Sequence, residues 1–195
     1  MVKQMTTIVL VLLFPLVSYA GVPMDTVKDG VNKVLSVAGD PALKGEAAKK
    51  TKEGKIRAII GELFDFTVLS RLTLGKNWKK FNPGQQKEFV GLYRELLENV
   101  YLGRILEYSE EKVIFTKETM LSKKKAEVQS KIIAKSVEIP ISYRMVLRSG
   151  EWKVYDVIIE GISMVKNYRS QFRQLLAKGS PADVLKTLRE KVNKA

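Results

Sequence analysis

Acid–base chemistry in this 195-residue chain cannot come from histidine or cysteine, because the sequence contains neither, and the carboxylates are the first candidates left. That inventory removes the commonest general base, the commonest zinc ligands and any thiolate nucleophile, and there is no glycine-rich phosphate loop either. Asp156 and Glu160 stand at i and i+4 in a stretch that reads as a strand, which places both on one face, with Tyr143 one strand upstream. A buried Asp beside a Tyr could move protons in a small cone-shaped α+β fold, as in an isomerase- or dehydratase-like enzyme with Asp156 as acid or base. The competing role for Asp156 is a structural charge paired with Arg144 or Arg169, and the lack of a second catalytic group favours it. The inventory calls for neither cofactor nor metal, and it leaves the enzyme reading open beside the structural one.

Positive charge is the other chemical resource. Lys and Arg number 34 against 21 Asp and Glu, a net charge of +13, and it gathers at Lys49-Lys50-Lys52, Lys79-Lys80 and Lys123-Lys124-Lys125. Such a charge favours anionic partners. No helix-turn-helix, zinc site or aromatic RNA-binding strand motif accompanies it, so nucleic acid is not expected and anionic lipid is the better match.

The elements that position these groups centre on residues 139–172. Ile139, Ile141, Tyr143, Met145 and Leu147 alternate with polar positions, the period of a half-buried strand. After Ser149-Gly150, which suits a tight hairpin turn, the next strand places Val154 and Ile158 on one side and Tyr155, Val157 and Ile159 on the other, so it calls for apolar cover on both faces. A two-residue loop sets Tyr143 opposite Asp156; a three-residue loop sets Arg144 there and makes a cross-strand ion pair.

Helices precede and follow. Residues 24–38 carry Val27, Val31, Val34, Leu35 and Ala38 at helical spacing, and Gly39-Asp40-Pro41 ends that run. The Lys-rich segment 44–55 reads as a loop or a poorly packed helix, after which Ile56, Ile59, Ile60, Leu63 and Phe64 resume the pattern. Asn82 is placed to cap the longest helix, with Pro83 at its first position and Gln85 as the capping-box partner, and the helix is expected to run to about Tyr108. Its stripe comprises Phe89, Leu92, Tyr93, Leu96, Leu97, Val100, Tyr101 and Ile105. Strands are expected at 112–117, 126–134, 137–148 and 152–161, and two closing helices end near Gly179 and begin at Ser180-Pro181. Helices first and strands together afterwards indicate an α+β domain with a four-stranded antiparallel sheet packed against several helices. The apolar inventory suits N- and C-terminal helices either closing over an apolar cavity or packing onto the sheet as a filled core, and the stripes are the same in both cases.

Residues 1–20 read as a secretory signal. Lys3 is followed by an apolar run from Ile8 to Val17, too short to span a bilayer, and then by Ser18-Tyr19-Ala20 before Gly21. Cleavage near Ala20 would leave residues 21–195 as one exported domain of net charge +12, stabilised by packing without disulfides.

The stretch WKVYDVIIEGISMVKNYRSQF, taken with FDFTVLSRLTLGKNW, QQKEFVGLYRELLENVY and IPISYRM upstream, resembles the periplasmic phospholipid-binding auxiliary component of Mla-type ABC transport systems, the toluene-tolerance family. The resemblance runs from about Val22 to the C-terminus. It implies a nuclear-transport-factor-like sheet with helices folded against it and phospholipid tails held in the gap. It implies a periplasmic carrier rather than an enzyme, expected to be monomeric, with phospholipid as cargo and no cofactor. Its partners would be an outer-membrane lipoprotein–porin complex and an inner-membrane ABC transporter bearing a lipid-channel subunit, in a system that maintains outer-membrane lipid asymmetry. The apolar stripes then offer Ile132, Ile141, Tyr143, Met145, Val157 and Ile159 on strands and Phe89, Leu96, Tyr101 and Phe172 on helices as candidate lining residues. Two acyl chains bury about 28 methylenes at about 0.8 kcal/mol each, a gross term near 20 kcal/mol, so release requires a docked acceptor rather than water.

Overall fold

In the computed structural model, residues 22–107, 112–134 and 137–194 are described; the expected signal segment and its cleavage site lie outside them. Helix α1 (Pro23–Gly39) begins on a proline, whose missing N–H is no loss in a first turn, and buries Val27 and Ala38. The Lys-rich segment is helical: α2 spans Glu46–Leu63, and Lys52 Nζ donates to the carbonyl of Ala38 at 2.7 Å. Asp65 then caps α3 (Phe66–Leu74) by accepting from the Val68 N–H. A 3₁₀ turn leads into α4 (Pro83–Leu106), whose capping box is complete. Asn82 Oδ1 accepts from the Gln85 N–H at 2.9 Å, and Gln85 Oε1 accepts from the Asn82 N–H at 3.1 Å.

The strands β1 (Lys112–Ser122), β2 (Lys125–Ala134), β3 (Val137–Arg148), β4 (Glu151–Ile159) and β5 (Ile162–Ser163) form an antiparallel sheet in chain order. The sheet has five strands rather than the expected four. The fifth is two residues long and follows the Glu160-Gly161 turn, where both residues have positive φ. Glu160 therefore lies in that turn and not, as expected, in the strand with Asp156. Strand β1 runs five residues beyond its expected end because bulges at Thr116 and Leu121 interrupt the alternation that marks a strand in sequence.

Between β3 and β4 the turn has two residues, Ser149 and Gly150, both at positive φ, and Arg148 pairs with Glu151. The register does not continue straight. A bulge at Tyr155 sets Met145 opposite Val154 but Arg144 opposite Asp156. The same bulge brings Val154 onto the face of Val157 and Ile159, where strict alternation would oppose them, and all three join the apolar layer on the inner face of the sheet. The expected cross-strand ion pair is absent among the described residues: Arg144 turns to Glu127 on β2 at 3.3 Å.

Helices α5 (Met164–Lys178) and α6 (Pro181–Val192) close the chain. Their apolar stripes meet α3 and the first half of α4 in a helical core containing Phe66, Phe89, Tyr93, Phe172 and Leu188. A second core joins the inner sheet face to Val27 of α1 and Leu63 of α2. In a third, smaller cluster Ala38, Ile56 and Leu102 tie α1 and α2 to the far half of α4. The long helix therefore divides its stripe along its length, the first half packing on α3, α5 and α6 and the far half turning toward α1 and α2.

Candidate functional site

A pocket of about 570 Å³ opens between the inner face of the sheet and helices α1, α2 and α4. Val31, Val34 and Leu35 of α1 form one wall, Ile60 and Leu63 of α2 the next, and Leu97, Tyr101, Leu102 and Ile105 the far half of α4. The floor is the sheet end bounded by Ala134, Ile139 and Ile159. Spacing explains the walls: i, i+3, i+4 positions on α1 and α4 place aliphatic side chains on one line. Of the C-terminal helices only Met164, the first residue of α5, reaches the pocket, since the rest of α5 and α6 is occupied by the helical core.

Six of the candidate residues come together here: Tyr101, Ile132, Ile141, Tyr143, Val157 and Ile159. The other four lie elsewhere. Phe89 and Phe172 stack edge to face at 5.1 Å, with Leu96 in the same helical core, because the first half of α4 faces α3, α5 and α6 rather than the sheet. Met145 is wholly buried beyond the pocket, beside Val154. The α1 residues were legible as an apolar stripe but not as a wall, because the pattern carries no information about which partner a stripe faces.

Polar groups sit at defined places on this apolar surface. Glu98, only 7% exposed, lines the pocket and is held by Arg57 at 2.8 Å and Arg94 at 2.6 Å, which joins α2 to α4. Two partners are what a buried carboxylate requires. Arg94 also lies over the Phe66 ring, 5.2 Å from its centroid, and fits there because residue 61 is glycine; a Cβ at that position would meet Arg94 Nη2 at 2.7 Å. Arg104 and Glu107 line the pocket from the exposed end of α4. In the floor, burial pushes the Tyr143 phenol up, and the nearby Ser130 hydroxyl offsets part of that shift without reaching normal hydrogen-bond geometry.

Asp156 occupies the opposite face and does not line the pocket. It is 2% exposed, and its partners are not the arginines expected for it. Oδ2 accepts from Ser163 Oγ at 2.6 Å and Oδ1 from the Val165 N–H at 3.0 Å. Ser163 Oγ in turn accepts from the Lys166 N–H at 3.1 Å, which caps α5. Arg169 donates instead to the carbonyl of Leu72. The carboxylate is thus a tie between β4 and the start of α5.

Comparison with known proteins gives the same architecture a lineage. A phospholipid-binding protein from Ralstonia solanacearum, solved in complex with a phospholipid, shares the fold with a TM-score of 0.78 at 23% identity, over 89% of this chain and 98% of that one. The toluene tolerance protein ttg2D of Pseudomonas putida is 27% identical over 171 residues, 85% of this chain and 78% of that protein. The intermembrane phospholipid transport system binding protein MlaC of Haemophilus influenzae is 30% identical over 99 residues, 48% of this chain and 46% of that protein. The model of the MlaC protein family matches residues 28–190, and the chain therefore belongs to that family.

Proposed function

We propose that the protein is a periplasmic phospholipid carrier that holds acyl tails in the pocket between the sheet and helices α1, α2 and α4. The observation that carries this reading is the pocket wall itself: aliphatic side chains from three helices and four strands, with charged groups confined to Glu98, Arg104 and Glu107. At about 570 Å³ the space falls within the roughly 300–1,000 Å³ of ligand sites, and its lining matches tails rather than a polar metabolite. Arg104 and Glu107, at the exposed end of α4, lie where a head group would meet water. Family membership and the phospholipid bound by the Ralstonia protein support the same cargo.

On this reading the chain is a soluble exported monomer that passes lipid between an outer-membrane lipoprotein–porin complex and an inner-membrane ABC transporter with a lipid-channel subunit. The P. putida and H. influenzae relatives, named for toluene tolerance and intermembrane phospholipid transport, support that placement. The direct test is solvent extraction of the purified mature chain followed by mass spectrometry. Diacyl phospholipid in near-stoichiometric amount is expected; a protein that yields none overturns the proposal.

Asp156 separates carrier from enzyme. As a tie it should cost stability when changed: Asp156→Asn places an amide against the Val165 N–H or the Ser163 hydroxyl, at about 1–3 kcal/mol in urea unfolding. Lipid per folded molecule should stay at the wild-type level. A variant of unchanged stability that has lost turnover of a substrate would instead favour the enzyme.

A further inference from the structure

We propose that the tip of the β1–β2 hairpin is a docking site for an anionic lipid bilayer. The tip is a two-residue turn, Lys123-Lys124, closed by the Ser122–Lys125 pair. Lys123, Lys124 and Lys125 are exposed, and no carboxylate among the described residues is in an ion pair with any of them. Beside them Met120 and Leu121 are each 50% exposed. Leu121 is the bulged residue, so it has no partner on β2, and a bulge re-aims its side chain out of the sheet.

Charge on an edge strand has an ordinary explanation, since lysines and bulges keep strand edges from pairing with other chains. That explanation accounts for the lysines but not for two large apolar side chains among them, which work against it. Exposed apolar side chains next to unpaired lysines fit an interface in which methylenes enter the acyl boundary and ammonium groups meet lipid phosphates. Lys79-Lys80 provides the contrast: also basic and exposed, the pair sits on a turn with no exposed large apolar neighbour in sequence. The tip is anchored from behind, where the Leu147 N–H donates to the carbonyl of Lys124 at 3.0 Å and the Met24 N–H to Glu118 at 2.8 Å. The pocket lies at the other end of the sheet, by Val113, Ala134, Ile139 and Ile159, so docking leaves it unobstructed and the proposal does not depend on what the pocket holds.

Flotation of the purified mature chain with vesicles tests it, using phosphatidylcholine alone and phosphatidylcholine containing phosphatidylglycerol. Binding is expected only with phosphatidylglycerol and should weaken as salt rises. Replacing the three lysines together (Lys123→Ala, Lys124→Ala, Lys125→Ala) should weaken it by about 100-fold at low salt. Met120→Ser with Leu121→Ser should weaken it by about 10-fold, while Lys79→Ala with Lys80→Ala should leave it within about 3-fold. Melting temperatures of all variants are measured alongside, and these exposed changes are expected to leave them close to wild type. The proposal is overturned if the protein does not float, if it floats equally on phosphatidylcholine alone, or if the lysine variant binds as well as wild type. It is also overturned if the Met120→Ser, Leu121→Ser variant binds as well as wild type, because attraction by charge alone would fit an acidic protein surface equally.

Discussion

Phe89→Ala should destabilise the protein by about 3–5 kcal/mol and leave lipid per folded molecule unchanged. Phe89 is fully buried, with ring centroids of Phe81, Tyr93 and Phe172 between 5.1 and 5.7 Å away. Those neighbours come from the turn before α4, from α4 itself and from α5, so the cavity left by truncation cannot close by the shift of one side chain. Domains of this kind are stable by about 5–15 kcal/mol, and the variant should therefore unfold at markedly lower urea or fail to accumulate. The informative part is the second readout. Phe89 is on the half of α4 that faces α3, α5 and α6, away from the pocket, so the molecules that remain folded should carry as much lipid as wild type. Loss of lipid from stably folded Phe89→Ala protein would place the tails in the helical core and not against the sheet.

How far that division could be read from sequence depends on the range of the interactions involved. The start of α4 is legible in Asn82-Pro83-Gly84-Gln85 because cap chemistry is local, and the structure completes both reciprocal hydrogen bonds. Strand β3 is legible to the residue because its alternation is unbroken. The helical state of Lys49–Lys55 is not, since that segment offers almost no buried face; Ile56 is the first fully buried residue of α2, and one stabilising contact there comes from Lys52 reaching the end of α1. The bulge at Tyr155 is likewise invisible in a single strand, because it is a mismatch between two. It decides the side on which Val154 lies and brings Arg144 opposite Asp156 without an ion pair between them. For the pocket, sequence yields the stripes but not their partners. The stripe of α4 is continuous from Phe89 to Ile105, yet only its far half meets open space.

Ile141 and Met145 share one face of β3 and differ in what lies beyond them, so the same substitution should act in opposite ways. Met145 is 0% exposed and packed beyond the pocket; Met145→Gln buries an amide with no partner and removes apolar contact, which should cost about 3 kcal/mol or more. Ile141 lines the pocket, and its partner across the β2–β3 ladder is Ser130, whose buried hydroxyl makes no hydrogen bond. An amide at 141 can therefore use Ser130 or water, and Ile141→Gln should cost only about 1–2 kcal/mol of stability. Its larger effect should fall on the cargo. With a gross burial term near 20 kcal/mol for two tails, one polar wall residue worth about 1–3 kcal/mol will not empty the pocket at equilibrium. It should instead speed transfer of bound phospholipid to excess acceptor vesicles by about 10- to 100-fold, as the bound state alone is raised. Stopped transfer assays and urea unfolding on the two variants give four numbers. The pocket assignment fails if Met145→Gln speeds transfer as much as Ile141→Gln does, or if Ile141→Gln unfolds the domain as readily as Met145→Gln.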